Sequence, residues 1–291
     1  MMQELQTDIY QIQAPLPGKS ITLIGGTHGN ERTGVEVVTR MKAMIESGEL
    51  VIIQGSLTLI YGNPRAIELN ERGSEPHADL NRAFVTDLLE CDPTGTYEDA
   101  RAREIAPFLQ SSDVVIDLHA TNKPSEPFLA SKDSERHQQV YRWFPSKKVL
   151  SDPQYVLAGF PATVDDYTDV YGGVGVCYET GQASDLGRVE EVLQNVINCL
   201  KDQGLVEGHV EAPDATRDIF ELTEAIILTD EGFTFAEGFG EGSWEAFAQG
   251  EVLGAHGDTA FVAEYDGVIV FPKMPEHRKV GKPVGYLAKR N

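Results

Sequence analysis

The sequence predicts an α/β fold, a mostly parallel or mixed sheet flanked by helices, with a smaller β-rich domain at the C-terminal end. Three observations carry this. Strand-like and helix-like segments alternate through the first two thirds of the chain, the pattern that builds a sheet covered on both faces. Several apolar strand-like runs end in Gly, His, Asp and Glu, where open α/β sheets gather their functional groups. From about His209 onward, helical periodicity gives way to Gly-rich, strand-like runs.

Ser20 to Gly25 (SITLIG) is a short apolar run closing on glycine and reads as a buried strand. Glu31 to Ser47 sets Val35, Val38, Met41 and Ile45 at helical spacing, and Gly48 suits the residue that ends a helix. Val51 to Tyr61 is β-branched, with Gly55 placed for a bulge. Tyr97 to Leu109 reads as a helix. Asp113 to His119 (DVVIDLH) and Val174 to Glu179 (VGVCYE) are further buried strands, the second followed by a helix over Ala183 to Gln203. Ile219–Leu228, Gly250–Gly254, Thr259–Tyr265 and Gly267–Phe271 form the β-rich remainder. Lys201–Gly204 marks the junction, dividing the chain into 1–205 and 206–291.

At 291 residues the chain is long enough to bury a large core without staples, and 41% hydrophobic with 24% charged residues is ordinary globular composition. Its net charge of −22 repels phosphate backbones and anionic lipid, which argues against nucleic-acid and membrane partners. An anionic substrate therefore needs a local Arg or Lys cluster. Cys91, Cys177 and Cys199 have no metal-binding spacing and cannot all pair. The polar start lacks a secretory pattern and no run is long enough to span a membrane, so a soluble, cytoplasmic protein is expected.

Three strand ends carry polar residues that are costly to bury without purpose. His28 and Glu31 stand three apart where a strand turns into a helix, so an imidazole and a carboxylate can enter one space. His119, from a neighbouring strand, is the best third donor, and three protein ligands with an open fourth position is the pattern of catalytic zinc. Glu179, at another strand end, suits a general base. Asp117 shares a strand face with His119 and can hold its outer N–H. Taken singly, each has a plainer reading: His28 a loop histidine, His119 a core histidine, Asp117 a strand-end cap. Gly62–Ala66 and Asp79–Phe84 bring Arg65, Asn81 and Arg82 to the same rim, where guanidinium forks fit a carboxylate or steady an oxyanion. Taken singly, either Arg reads better as a partner in surface ion pairs. The chain has no GxSxG elbow, phosphate loop or dinucleotide fingerprint.

Together GGTHGNE (Gly25–Glu31), NPRA (Asn63–Ala66), DLNRAF (Asp79–Phe84), DLH (Asp117–His119) and ETG (Glu179–Gly181) resemble the aspartoacylase and succinylglutamate desuccinylase family, zinc amidohydrolases related to the metallocarboxypeptidases. The motifs occur in the family's order over residues 20–181. The resemblance implies a zinc-carboxypeptidase-like catalytic domain over 1–205, followed by the β-rich domain. It implies one Zn2+ per chain on His28, Glu31 and His119, with Glu179 as proton shuttle and Arg65 at the carbonyl oxygen. Asn81 and Arg82 would bind a substrate carboxylate. The implied reaction is hydrolysis of a small anionic N-acyl amino acid to a carboxylate and a free amino acid; homo-oligomerisation stays open. A carboxypeptidase-like hydrolase of short peptides, or a non-catalytic metal- or ligand-binding protein, would use the same fold. One departure stands out. The family's aspartoacylases carry an Arg about ten residues before the catalytic Glu, but Val164–Gly172 holds three acids and no base. The metal chemistry is implied without N-acetylaspartate specificity. Arg278 or Lys279, from the C-terminal domain, is the expected replacement for the missing cation.

Overall fold

The alternating pattern resolves into strands β1 (Gln3–Gln6), β2 (Ile9–Gln13), β3 (Leu16–Gly25), β4 (Gln54–Tyr61), β5 (Val114–Thr121), β6 (Phe128–Ala130), β7 (Lys148–Ser151) and β8 (Val174–Gln182). They continue as β9 (Asp218–Ile227), β10 (Phe233–Phe235), β11 (Glu245–Phe247), β12 (Val252–His256), β13 (Thr259–Val262), β14 (Gly267–Val270) and β15 (Pro283–Arg290). The helices are α1 (Arg32–Ser47), α2 (Pro64–Leu69), α3 (Thr86–Glu90), α4 (Tyr97–Ser111), α5 (Glu135–Tyr141), α6 (Val164–Val170) and α7 (Val189–Asp202). This computed structural model describes residues 1–90, 95–213 and 216–291; Cys91 lies outside them.

Among the described residues, twelve strands form one mixed sheet in the order β1-β2-β4-β3-β5-β8-β6-β7-β9-β15-β14-β11. Its centre, β4-β3-β5-β8, is parallel. Strand alternation sends neighbours to opposite faces. Leu23 and Ile116 pack with Val38 and Met41 of α1 and Val192 and Val196 of α7. Ile24 and Val115 pack with Ile105 and Leu109 of α4 and Val164 and Tyr167 of α6. Both faces are thus dry, as a parallel sheet requires.

The expected junction near Lys201–Gly204 is crossed by strand pairing, since β9 runs parallel to β7 and antiparallel to β15. The C-terminal segment adds a second sheet, β10-β12-β13, over an apolar cluster of Ile226, Phe233, Leu253, Ile269 and Leu287. Some boundaries differ from the expected ones. β4 starts at Gln54 because Ile52 makes only an isolated bridge to Val206. α7 starts at Val189, after a 3-10 turn over Leu186–Arg188 capped by the Asp185 side chain. Among the described residues no helix is long and apolar enough to cross a membrane.

Arg101 of α4 is buried to 1% exposure and ties the end of β4 in place. Its guanidinium donates to the carbonyls of Gly62 (2.9 Å), Tyr61 (2.7 Å) and Thr7 (2.8 Å) and pairs with Glu104 at 2.7 Å. Replacing it strands three carbonyls from their donors. Arg101→Met is expected to lower the unfolding free energy by about 3–5 kcal/mol, read by urea denaturation. A loss below about 1 kcal/mol would mean that water replaces the guanidinium.

Candidate active site

Local backbone geometry explains the small residues of GGTHGNE. The loop from β3 into α1 passes so close to α2 that a Cβ on Gly29 would stand 2.0 Å from the carbonyl of Ala66. Gly26 turns the chain through a left-handed conformation (φ 75°) directly after β3. The loop closes on Glu31, whose amide donates to the His28 carbonyl (3.2 Å) and which caps α1. His119 comes from β5 and stands opposite Glu179 in the β5–β8 register. Three separate strand ends therefore present His28, Glu31, His119 and Glu179 to one space.

His28, Glu31 and His119 are each 2–3% exposed, and one donor atom from each lies within 4.8 Å of the others. Glu31 Oε1 is 2.8 Å from His28 Nδ1 and its Oε2 is 2.9 Å from His119 Nδ1. The two Nδ1 atoms are 3.2 Å apart. Each outer ring nitrogen faces a carboxylate: His28 Nε2 lies 3.0 Å from Asp79 Oδ1, and His119 Nε2 lies 2.7 Å from Asp117 Oδ2. A carboxylate there favours the proton on Nε2 and turns the Nδ1 lone pair inward. Asp117 is itself held by the Thr27 hydroxyl (2.8 Å). Two imidazoles and a carboxylate with their donors converging on one point fit a divalent cation.

The charges fit it as well. Burial pushes His119 down, but the Asp117 and Glu31 carboxylates outweigh it and hold the imidazole well above its ordinary value. Burial pushes Glu31 up, yet His28 and His119 together keep it ionised well below the carboxylate range. Glu179 has 8% exposure, and its Oε2 is buried with no hydrogen-bond partner among the described residues. Burial first, and the Glu31 carboxylate second, push it up to about 7. Such an orphaned carboxylate oxygen beside a donor cluster is positioned for proton transfer.

The structure treats the expected arginines unequally. Arg65, in the first turn of α2, is exposed and lies over the Tyr97 ring at 4.1 Å, and among the described residues it forms no hydrogen bond or ion pair with the donor cluster. Arg72 stands at the site instead, 3.7 Å from Glu31 Oε1 and 2.9 Å from Asp79 Oδ2. Helix geometry turns Arg65 outward, whereas the irregular chain after α2 loops back and carries Arg72 inward. That loop has no periodicity to betray it, and Arg72 is missing from the sequence-derived set. Asn81 is buried, its Oδ1 accepting from the Val164 amide (2.9 Å), which anchors the start of α6. Arg82 donates to the Asn81 carbonyl (2.7 Å). In the stretch without a base, Asp169 is committed to His137 and Lys132, both at 3.0 Å. Burial raises Asp165 and Asp166, helped by the Asp169 carboxylate at Asp165 and by the Asp165 carboxylate at Asp166. Arg278 lies over Phe235 and Lys279 contacts His77, and among the described residues neither pairs with the donor cluster.

The carboxylates behind the histidines should matter for affinity. Asp117→Asn is expected to weaken metal binding by about 10–100-fold in competition titrations, with the fold intact. Unchanged affinity would mean that Asp117 only supports the strand.

Residues 17–198 match the family described as the succinylglutamate desuccinylase/aspartoacylase catalytic domain. The chain is 37% identical over 229 residues to an aspartoacylase from Rattus norvegicus, covering 72% of this chain and 70% of that protein. It is 24% identical over 289 residues to an N-alpha-acetyl-L-2,4-diaminobutyric acid deacetylase from Halomonas elongata, covering 93% and 82%. The match to a protein described as a probable aspartoacylase from Nostoc sp., 41% identical over 106 residues, spans only 35% of each chain. Among solved structures, succinylglutamate desuccinylase from Vibrio cholerae superposes with a TM-score of 0.79 at 20% identity, covering 99% of this chain and 87% of that one. Murine aminoacylase 3 superposes at 0.69 with 20% identity, covering 96% and 97%.

Proposed function

Since the chain belongs to the succinylglutamate desuccinylase/aspartoacylase family, whose catalytic-domain match spans more than half of it, we propose that it hydrolyses the amide bond of a small anionic N-acyl amino acid. The products are a carboxylate and a free amino acid. The observation that carries this reading is the partnerless Glu179 Oε2, buried beside three converging donors whose outer nitrogens are held by carboxylates. His28, Glu31 and His119 would hold the metal, and two histidines with one carboxylate is a donor set that suits catalytic zinc. When bound, such an ion polarises the acyl carbonyl and makes a water molecule more acidic.

The chain's own residues do the rest. Glu179 takes the proton of the water that attacks the acyl carbon, then delivers it to the leaving nitrogen as the C–N bond breaks. Arg72 replaces Arg65 as the guanidinium that steadies the developing oxyanion, while Asp79 fixes its orientation. Arg82 and the Asn81 amide nitrogen face the substrate's carboxylate. Asp117 and Asp79 hold both imidazoles in the ligating tautomer.

The test is metal quantification followed by a panel of N-acetyl and N-succinyl amino acids and dipeptides, measuring released amine. Metal-dependent release from N-acyl amino acids is expected. Faster dipeptide cleavage would favour the carboxypeptidase-like reading. Metal-loaded protein that releases amine from none of them would leave only a binding role.

A further inference from the structure

The segment between β14 and β15 reaches toward the site from the C-terminal part of the chain. It begins at Phe271, held in a left-handed conformation (φ 51°) with its amide on the Ser243 hydroxyl (3.1 Å). The Phe271 ring stands 5.6 Å from the ring of Phe128, the residue paired with Glu179 across β6 and β8. At its far side Lys279 Nζ contacts His77 Nδ1 at 2.9 Å, in the same loop that carries Arg72 and Asp79. The segment therefore bridges from beside Glu179 to the Arg72 loop. Lys273 lies within this span, its amide pinned to the Val284 carbonyl at 2.8 Å and its own carbonyl to Arg278 Nε at 3.1 Å.

Lys273 is half-buried and sits in the field of Arg72, Arg82 and Lys282, with Asp79 the carboxylate that opposes them. Among the described residues no carboxylate comes within ion-pair distance of Lys273 or Arg82, whereas Arg72 is already spent on Asp79 and Glu31. In a chain of net charge −22, acidic side chains are plentiful, yet among the described residues none forms an ion pair with either cation, and Asp79 and Asp152 act on Arg82 only from farther off. Like charges held together in a partly dry site raise its free energy until an anion enters.

We propose that Lys273 is a substrate-binding residue, contributed by the C-terminal segment, that with Arg82 holds a carboxylate of the N-acyl amino acid. This rests on the hydrolase reading above and adds a specificity determinant that none of the catalytic motifs contains. The carboxylate has two sources, the α-carboxylate of the amino acid and a terminal carboxylate of the acyl group.

The experiment measures KM and kcat for wild type, Lys273→Gln and Lys273→Arg, each metal-loaded. Substrates are one accepted N-acyl amino acid, its α-carboxamide, and an acetyl and succinyl pair on the same amino acid. Lys273→Gln is expected to raise KM about 10–100-fold with kcat within about threefold, and Lys273→Arg to recover most of it. A penalty that vanishes with the α-carboxamide assigns the α-carboxylate; one present for succinyl and absent for acetyl assigns the acyl group. An unchanged KM, or an equal rise on neutral and charged substrates, overturns the role of Lys273 and leaves the hydrolase reading intact. Wild type that hydrolyses none of the substrates overturns that reading, and the role of Lys273 with it.

Discussion

Glu179→Gln is expected to retain bound metal and to lose about 10²–10⁴-fold in kcat, the usual effect of removing a general base. Gln keeps the shape and loses the proton traffic. The same substitution has an opposite effect on metal-free stability. Glu179 is pushed from its ordinary value of 4.5 up to about 7 by burial and by the Glu31 carboxylate, so the bare fold prefers its neutral form. The stability this lends is complete below about pH 4.5 and is lost as pH rises toward about 7. That loss is on the order of 3 kcal/mol. Metal-stripped Glu179→Gln should therefore melt above metal-stripped wild type at pH 8, with the gap closing toward pH 5. Metal-loaded protein should show little of this, because a dication's charge favours the ionised carboxylate. Full turnover in Glu179→Gln would assign the proton transfer to another group. Equal melting of the two metal-free proteins at pH 8 would show that the Glu179 carboxyl is not strained by its surroundings.

Removing one imidazole should have the largest effect of all. His28→Ala and His119→Ala are each expected to lose stoichiometric metal and, with it, measurable amine release, because two donors do not hold a catalytic ion. Metal uptake should also carry a proton signature. Asp117 and Glu31 outweigh burial and hold His119 protonated well above the ordinary histidine value of 6.5, so an ion must displace that proton to bind. Affinity should thus rise with pH through the neutral range, and calorimetry in buffers of different ionisation enthalpy should detect proton release. Affinity that is flat between pH 6 and 8 would place the metal away from His119.

Residues with a local reason to stand where they do were legible in the sequence. His28 and Glu31 share one loop-to-helix turn crowded by glycines, and His119 and Glu179 end apolar strands, so topology alone brings them together. Asp117, two residues before His119, followed from strand alternation and sits 2.7 Å from its ring. Long apolar elements such as α1 and β3 were equally plain. Arg72 was not, because it lies in irregular chain after α2 and reaches the site through tertiary folding. Arg65, which sits in a recognisable motif, is instead drawn to Tyr97 by the outward face of a short helix. Lys273 was hidden for the same reason as Arg72. Its neighbours Arg72 and Arg82 lie about 200 residues away in the chain, and only the pairing of β14 and β15 onto the main sheet brings it near them. β1 also escaped, since a short strand without an apolar face carries no period to read, and so did β7 and β15, although both are mostly buried.

The most direct test is zinc titration of the metal-stripped chain with X-ray absorption at the zinc edge, repeated on the His28→Ala/His119→Ala double variant. One ion per chain with two imidazole nitrogens at about 2.0–2.1 Å, absent from the double variant, is the expected result. Undiminished stoichiometric zinc in the double variant would contradict a centre built on these two histidines and Glu31.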